Sequence, residues 1–299
     1  MMKIYNSSKA FRPTAPTIVA LGNFDGVHLG HQVILKNVEG VYTFEPHPTK
    51  ILFSESAPPL IQTRDQKLQS LEKLKIEWVV LEPFTPDFAQ LTPEVFFKKI
   101  LVEQLRAKKL CVGYDFTFGF HRKGNVSLLS PLCEQHSIQL HVVEAQKRGD
   151  LVISSGKIRE MVLQGKVDQA CLLLGRPFAL IGKIISGAQI GRRIGIPTLN
   201  LSPENELLPK TGVYITQTRF VEKLETYPSV TNIGDNPTFP GKGFSIETHL
   251  LQVPQKVDNG KMEIDFLKYL RDEKSFSSSE KLVQEIKHDI AEAKKYHTL

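Results

Sequence analysis

One string near the start limits most tightly what this chain can fold into: Gly22-Asn23-Phe24-Asp25-Gly26-Val27-His28-Leu29-Gly30-His31. It follows Thr17-Ile18-Val19-Ala20-Leu21, an apolar and partly β-branched run. The run reads as a buried strand and the string as the turn leaving it, with a helix beginning at the histidines. Residues three apart share one helical face, so His28 and His31 are expected side by side. Gly30 carries no side chain and lets an anion approach the backbone. The free N–H groups and positive dipole of a helix start favour the same ligand, so the pattern points to a polyphosphate site. His-x-x-His alone would equally be a surface pair or half of a zinc site. Zinc needs further ligands, and none stands at a usual spacing nearby.

Up to about residue 175 the chain alternates strand-like and helix-like segments. Val38–Phe44 reads as a second strand ending at Glu45-Pro46-His47-Pro48, and Trp78–Leu81, Lys109–Val112 and Ile138–Val143 as further strands. Gln66–Lys75, with Leu68, Leu71 and Leu74 at helical spacing, and Pro93–Arg106 read as helices. This alternation predicts an α/β domain with a parallel sheet, whose ligands bind beyond the carboxyl ends of the strands. The string at His28 and His31 falls at such an end.

After residue 180 glycine, proline, threonine and short apolar alternations dominate, predicting antiparallel strands closed into a barrel. A last helix is expected from a capping box at Ser277-Ser-Ser-Glu280, with Leu282, Ile286 and Ile290 as its buried stripe. The boundary is placed near Leu174-Gly175-Arg176-Pro177, giving domains 1–175 and 176–299. At 299 residues the chain is long enough for two separate cores.

Composition excludes more than it selects. No run of about twenty apolar residues suggests a membrane span, and residues 1–16 hold no secretory h-region. The three cysteines, Cys111, Cys133 and Cys171, are isolated, which suits a reduced, cytoplasmic setting. The net charge of +6 suits anionic substrates, but the basic residues are dispersed and no nucleic-acid module is recognisable.

Four further stretches carry chemistry. Val112-Gly-Tyr-Asp115-Phe-Thr-Phe-Gly119 sets alternating aromatics after a strand, either core or a flat wall for a planar ring; Arg122-Lys-Gly-Asn125 follows. Ile153-Ser154-Ser155-Gly156-Lys157-Ile158-Arg159 puts hydroxyls before a helix and two cations in its first turns, either a capped, solvated helix or a phosphate site. Gly187-Ala-Gln-Ile-Gly191-Arg192-Arg193-Ile-Gly-Ile-Pro-Thr198-Leu-Asn200-Leu201 is a glycine-rich basic loop feeding a strand. Period-two geometry puts Thr198 and Asn200 on one face, where their oxygens suit magnesium; a polar outer face is the plainer reading. Glu247, in Ile246-Glu-Thr-His-Leu250, alternates away from the apolar face and is either a general base or a surface ion-pair partner.

The string from Gly22 to His31 is similar to the His-x-Gly-His signature of the nucleotidyltransferase superfamily. It resembles more narrowly the bacterial bifunctional riboflavin kinase/FMN adenylyltransferase (FAD synthetase) family. The glycine-rich loop, Gly195-Ile-Pro-Thr-Leu-Asn200, Thr231-Asn-Ile-Gly234 and Glu247-Thr-His249 resemble the kinase module of that family, and the likeness spans about residues 17 to 293. The resemblance implies a Rossmann-like nucleotidyltransferase domain followed by a riboflavin-kinase β-barrel with a C-terminal helix. It implies that His28, His31, Ser155 and Arg159 handle ATP phosphates, and that Asp115 contacts substrate. Gly22, Asn23, Phe24, Asn125, Ser154, Lys157, Gly187, Gly191, Arg192 and Asn232 are expected to line the nucleotide and flavin sites. Thr198 and Asn200 are implied to bind Mg2+ with ATP, and Glu247 to activate the ribityl 5′-hydroxyl.

The implied partners are riboflavin, FMN and ATP, with neither nucleic acid nor membrane. FMN already carries an anionic phosphate, so adenylylation needs positive groups rather than a base, whereas an alcohol needs help losing its proton. The chain departs from the family in four places. Only eleven residues separate His31 from Thr43, Gly156 replaces a usual threonine, Thr117 stands where a basic residue is frequent, and Val253–Gly260 replaces a Leu-Tyr-Gly segment. Loss of the hydroxyl at 156 is worth about 1–2 kcal/mol of phosphate binding if that bond is made. The expected activity is riboflavin to FMN to FAD. The alternatives are a kinase beside an impaired adenylyltransferase domain, and a non-catalytic flavin- or nucleotide-sensing protein.

Overall fold

The apolar runs of the first half become strands that are buried on both faces. In the computed structural model, which describes residues 1–186, 194–221, 223, 225–234, 245–252 and 260–298, contacts divide the chain into two units. Met1–Pro59 with Arg64–Ser155 form the first, and Leu60–Thr63 with Gly156–Leu299 the second. In the first, β1 (Lys3–Tyr5), β2 (Thr17–Leu21), β3 (Gly40–Phe44), β4 (Trp78–Glu82), β5 (Ala107–Gly113) and, after a small ribbon of β6 (Thr117–Phe118) and β7 (Gly124–Asn125), β8 (Gln139–Val143) make one parallel sheet. Its order is β1-β4-β3-β2-β5-β8. A second ribbon, β9 (Lys147–Arg148) with β10 (Leu151–Val152), follows.

Alternate residues of each strand serve two cores. Val19, Leu21, Val80, Leu110 and Val112 pack with Phe97, Leu101 and Leu129, while Ala20, Val79, Leu81 and Cys111 pack with Ile34, Leu68 and Leu71. This is why the strands read as continuous apolar runs. The covering helices are α1 (Leu29–Ile34), α2 (Pro48–Leu52), α3 (Arg64–Lys73), α4 (Pro86–Ala89), α5 (Pro93–Phe96, continuing as a π-helix over Phe97–Gln104) and α6 (Val126–Gln135). Gly40 is needed where it stands, because a Cβ there would lie 2.1 Å from the indole of Trp78, its partner across β3 and β4. The chain leaves β2 towards β3 on one side, and β5 lies on the other. The crevice beyond the ends of β2 and β5 is therefore the topological switch point.

The second unit holds α7 (Ser155–Leu163, from Gly156 onward) and α8 (Val167–Leu174), then a closed antiparallel barrel. Its strands are β11 (Phe178–Ile185), β12 (Leu199–Pro203), β13 (Gly212–Phe220), β14 (Thr226–Gly234), β15 (Ser245–Leu250) and β16 (Lys261–Arg271), in the order β11-β12-β15-β14-β13-β16. Composition changes near residue 175, but packing changes earlier, because α8 buries Ala170, Leu173 and Leu174 and lies against β11 and β16. The interior is partly polar. Thr218, Ser229, Thr216, Thr231 and Thr248, all fully buried, form a chain of hydroxyl hydrogen bonds of 2.7–2.8 Å across three strands. Each hydroxyl has a partner, which removes most of the cost of burying it.

The last helix, α9 (Ser279–Tyr296), covers part of the barrel's outer face at Val213, Ile215 and Val230. Two expectations about it are corrected. Ser278 rather than Ser277 is the N-cap, its side chain accepting from Lys281 N–H, so Glu280 falls one position short of a capping box. Leu282, Ile286 and Ile290 are only half-buried, and Asp289 and Ala293 are the buried pair. Asp289 tolerates burial because Arg271 meets it twice, at 3.0 and 2.7 Å.

Candidate active sites

The turn after β2 builds the first site by departing from ordinary backbone geometry. Phe24, Gly26 and Val27 have φ of 52°, 85° and 41°, a strained region for the two residues with side chains. The turn is held by Val27 N–H donating to Phe24 O at 3.2 Å and Thr43 Oγ1 donating to Asn23 O at 3.1 Å. His28 then caps α1, its Nδ1 accepting from His31 N–H at 3.2 Å. An accepting Nδ1 carries no proton, so the other ring nitrogen is left as the donor. The two imidazoles stack with centroids 3.6 Å apart and planes 16° from parallel.

Gly30 eases that stack: a Cβ there would crowd the His28 ring, 3.2 Å from its Cε1 and Nδ1. The space it leaves is filled by the capping ring, a reason for the glycine additional to close anion approach. Burial first, and the neighbouring His28 second, hold His31 well below the usual imidazole range. Its Nδ1 is buried without a hydrogen-bond partner. A buried polar atom left open marks a place for a ligand or a proton.

The other expected residues of this region separate by environment. Ser155 Oγ donates to the Asp25 carbonyl at 2.8 Å, tying the turn to the start of α7. Ser154 and Asn23 are exposed. Phe24 is fully buried beside Gly22 and meets His31 edge-on at 5.3 Å, so it supports the imidazole from the core. Asp115 is exposed just after β5, with Oδ1 3.0 Å from where a Cβ on Gly113 would lie. Asn125 uses Oδ1 to cap α6 through Leu128 N–H at 3.0 Å. Of the alternating aromatics, Phe118 is core, Phe116 stacks on it at 5.6 Å, and Tyr114 is exposed. Arg122 Nε donates to Thr117 Oγ1 at 2.9 Å, bringing a cation to that position.

Lys157 and Arg159 group with the second unit; Lys157 pairs with Glu160 at 2.8 Å and Arg159 is half-buried. Sequence reasoning missed Lys67. This nearly buried ammonium has its pKa lowered by burial, against the opposing pull of Glu45 and Asp25. Its only signal was a lysine beside the apolar positions of α3.

The second site is a row across strands. Asn200 in β12 stands opposite Glu247 in β15, which stands opposite Asn232 in β14, and Val213 in β13 continues the row beneath α9. Opposed residues share a face, and this one is the barrel's outer face, since Thr231 and Thr248 between them point inward. Thr198 Oγ1 donates to Glu247 Oε2 at 3.1 Å and Ser245 Oγ to Oε1 at 3.4 Å. Asn232 Nδ2 donates to Glu273 Oε1 at 3.3 Å, a contact the sequence did not disclose. The expected Gly187, Gly191 and Arg192 lie outside the described residues. Among the described residues no group of three or more His, Cys, Asp or Glu could hold a metal. The donors at Thr198, Asn200 and Glu247 are hydroxyl, amide and carboxylate oxygens, which suit a hard cation.

Known proteins divide along the same line. Residues 11–157 match the family model for FAD synthetase and residues 174–297 that for riboflavin kinase. The bifunctional riboflavin kinase/FMN adenylyltransferase of Buchnera aphidicola subsp. Schizaphis graminum is 34% identical over 295 residues, 94% of each chain. That of Escherichia coli (strain K12) is 32% identical over 306 residues, covering 99% of this chain and 97% of its own. A crystal structure from Streptococcus pneumoniae described as a macrolide-efflux protein superposes with a TM-score of 0.85 at 27% identity, covering 96% of this chain and 97% of that one. Its description belongs to that protein; among the described residues here no helix is long and apolar enough to cross a membrane. With both family models matched in order and relatives aligned almost end to end, this chain belongs to the bifunctional riboflavin kinase/FMN adenylyltransferase family.

Proposed function

We propose that the chain phosphorylates riboflavin with ATP to give FMN, then adenylylates FMN with a second ATP to give FAD and pyrophosphate, the two activities dividing near residue 175. The observation that carries the reading is the contrast between the donor sets. The first unit offers imidazoles and a helix start; the second offers a carboxylate set among oxygen donors.

In the first unit an FMN phosphate oxygen forms a bond to the α-phosphorus of ATP as the bond to pyrophosphate breaks. No proton must leave the nucleophile. His28, His31 and the N–H groups at the start of α1 stabilise the charge on the transferring and leaving phosphates, assisted by Ser155. The short α1 suffices, since the cap and the ring stack use only its first turn. Asn23, Asp115 and the face around Phe116 line the approach of the flavin.

In the second unit the ribityl 5′-hydroxyl bonds to the γ-phosphorus, its proton passes to Glu247, and ADP leaves. Thr198 fixes the Glu247 carboxylate through its hydroxyl. Thr198 and Asn200 would hold Mg2+ with ATP, and the ion supplies neutralising charge to the phosphates. A reducing, cytoplasmic setting suits Cys111 and Cys133, buried thiols whose pKa burial raises, that of Cys133 to about 11. Incubation with riboflavin, ATP and Mg2+, followed by chromatographic separation, should show FMN and then FAD. FMN alone would remove the adenylylation step from the proposal, and the absence of both products would overturn it.

A further inference from the structure

Glu273 has no part in the mechanism above, yet its carboxylate is placed with care. It lies directly over Gly234 in β14, where a Cβ would stand 1.9 Å from the carboxylate carbon, so any side chain there would displace it. The residues around it are tied to α9: Arg271 binds Asp289 at 2.7 Å and Glu285 at 3.4 Å, and Lys274 binds Glu285 at 2.6 Å. Its Oε1 accepts from Asn232 Nδ2. Asn232 stands directly opposite Glu247.

An ionised carboxylate can only accept hydrogen bonds. Its neighbour must therefore turn an NH2 group towards it, and the amide of Asn232 is held in one of its two orientations. The Oδ1 atom is then the end left to face other groups, as an acceptor in the row with Glu247. We propose that Glu273 is a positioning residue for the polyol tail of the flavin substrate. By fixing the Asn232 amide it presents Oδ1 to a secondary hydroxyl of the ribityl chain while the terminal hydroxyl donates to Glu247. The inference rests on the assignment of Glu247 as the base. It makes the outer face of the barrel selective for a polyhydroxylated alcohol over a plain one.

The substitution Glu273→Gln tests this, because a glutamine donates as well as accepts and frees the amide to take either orientation. Gly234→Ala tests it independently by displacing the carboxylate. Kinase kinetics are measured on the full chain with riboflavin and with a flavin bearing a plain ω-hydroxyalkyl chain at N10, and conversion of FMN to FAD serves as a folding control. Glu273→Gln should raise KM for riboflavin about tenfold, more than it changes kcat, as expected for one hydrogen bond. The preference for riboflavin over the hydroxyalkyl flavin should fall by the same factor, and Gly234→Ala should shift it the same way. An equal loss on both substrates, or an unaltered preference, overturns the inference. Glu247→Gln is run in parallel. If it abolishes phosphorylation while the Glu273→Gln preference is unaltered, only this inference falls; if it leaves phosphorylation intact, the underlying assignment falls with it.

Discussion

The two units face the same cosubstrate with opposite equipment. In the first, the proposed site is built from consecutive residues: a strained turn, a capping imidazole stacked on a second, and the first N–H groups of a helix. In the second, residues from four separate segments meet on a sheet face, and oxygen atoms dominate. The difference follows from the two nucleophiles. A phosphate arrives charged and needs positive surroundings for the transition state, which a helix start provides without a base. An alcohol must shed a proton and needs a base, the role proposed for Glu247, which the register of three strands places between Asn200 and Asn232. The fold thus follows the proton.

The largest effect should come from the carboxylate. Glu247→Gln keeps the size of the side chain and one of its two acceptor oxygens but cannot take a proton, and FMN formation should fall about 1,000-fold, within the usual range for a general base. Conversion of supplied FMN to FAD should be unchanged in the same preparation. If both reactions fell in folded protein, the contrast between the sites would be wrong. His28→Asn is the converse. Asparagine is among the best N-caps, so α1 should persist, while the imidazole is lost. Adenylylation should drop about 100-fold or more, the scale of one lost transition-state contact, with riboflavin phosphorylation intact. A retained adenylylation rate would reduce His28 to a cap.

Smaller changes sharpen the contrast. Thr198→Val removes the hydroxyl that donates to Glu247 with little change in shape. FMN formation should fall about 10- to 100-fold, short of the Glu247 effect, since the base survives but is less well held. Product chromatography on the purified variant checks it, and a loss as deep as that of Glu247→Gln would mean that the hydroxyl's part in holding Mg2+ outweighs its part in orienting the base.

The first site was legible because its chemistry is local. Strand, glycine-bracketed turn, capping histidine and the spacing of His28 and His31 are all encoded within fifteen residues, Thr17 to His31. The parallel sheet was legible for a related reason: strands buried on both faces read as unbroken apolar runs, as Trp78–Leu81 does. The burial of the Phe24 ring was not legible, because the positive φ of that residue leaves no mark in composition. In the barrel, alternation put Glu247 on the correct face, but no local rule pairs it with Asn232 or brings Glu273 over Gly234. Those depend on register between strands distant in sequence. The buried hydroxyl chain from Thr218 to Thr248 was hidden likewise, since threonines in alternation read as a solvent face. The start of α9 slipped by one residue because Ser277 and Ser278 compete for the same cap.

The smallest effect separates the two units by pH. His31 is held well below its ordinary range by burial and by His28, so the folded first unit binds fewer protons than the unfolded chain once pH falls below about 6.5. A depressed folded-state pKa contributes stability that is whole above the unfolded value and is lost as pH descends through the folded one. The limiting slope for a single proton is about 1.4 kcal/mol per pH unit. The chain has one tryptophan, Trp78, in β4, so its emission follows unfolding of the first unit alone. Denaturant midpoints read from that emission should fall between pH 7 and pH 5. In His31→Gln the fall should be shallower, because the titrating ring is gone. If the two slopes coincide, His31 is not the group that carries the proton. The buried, partnerless Nδ1 would then be a packing feature of the turn.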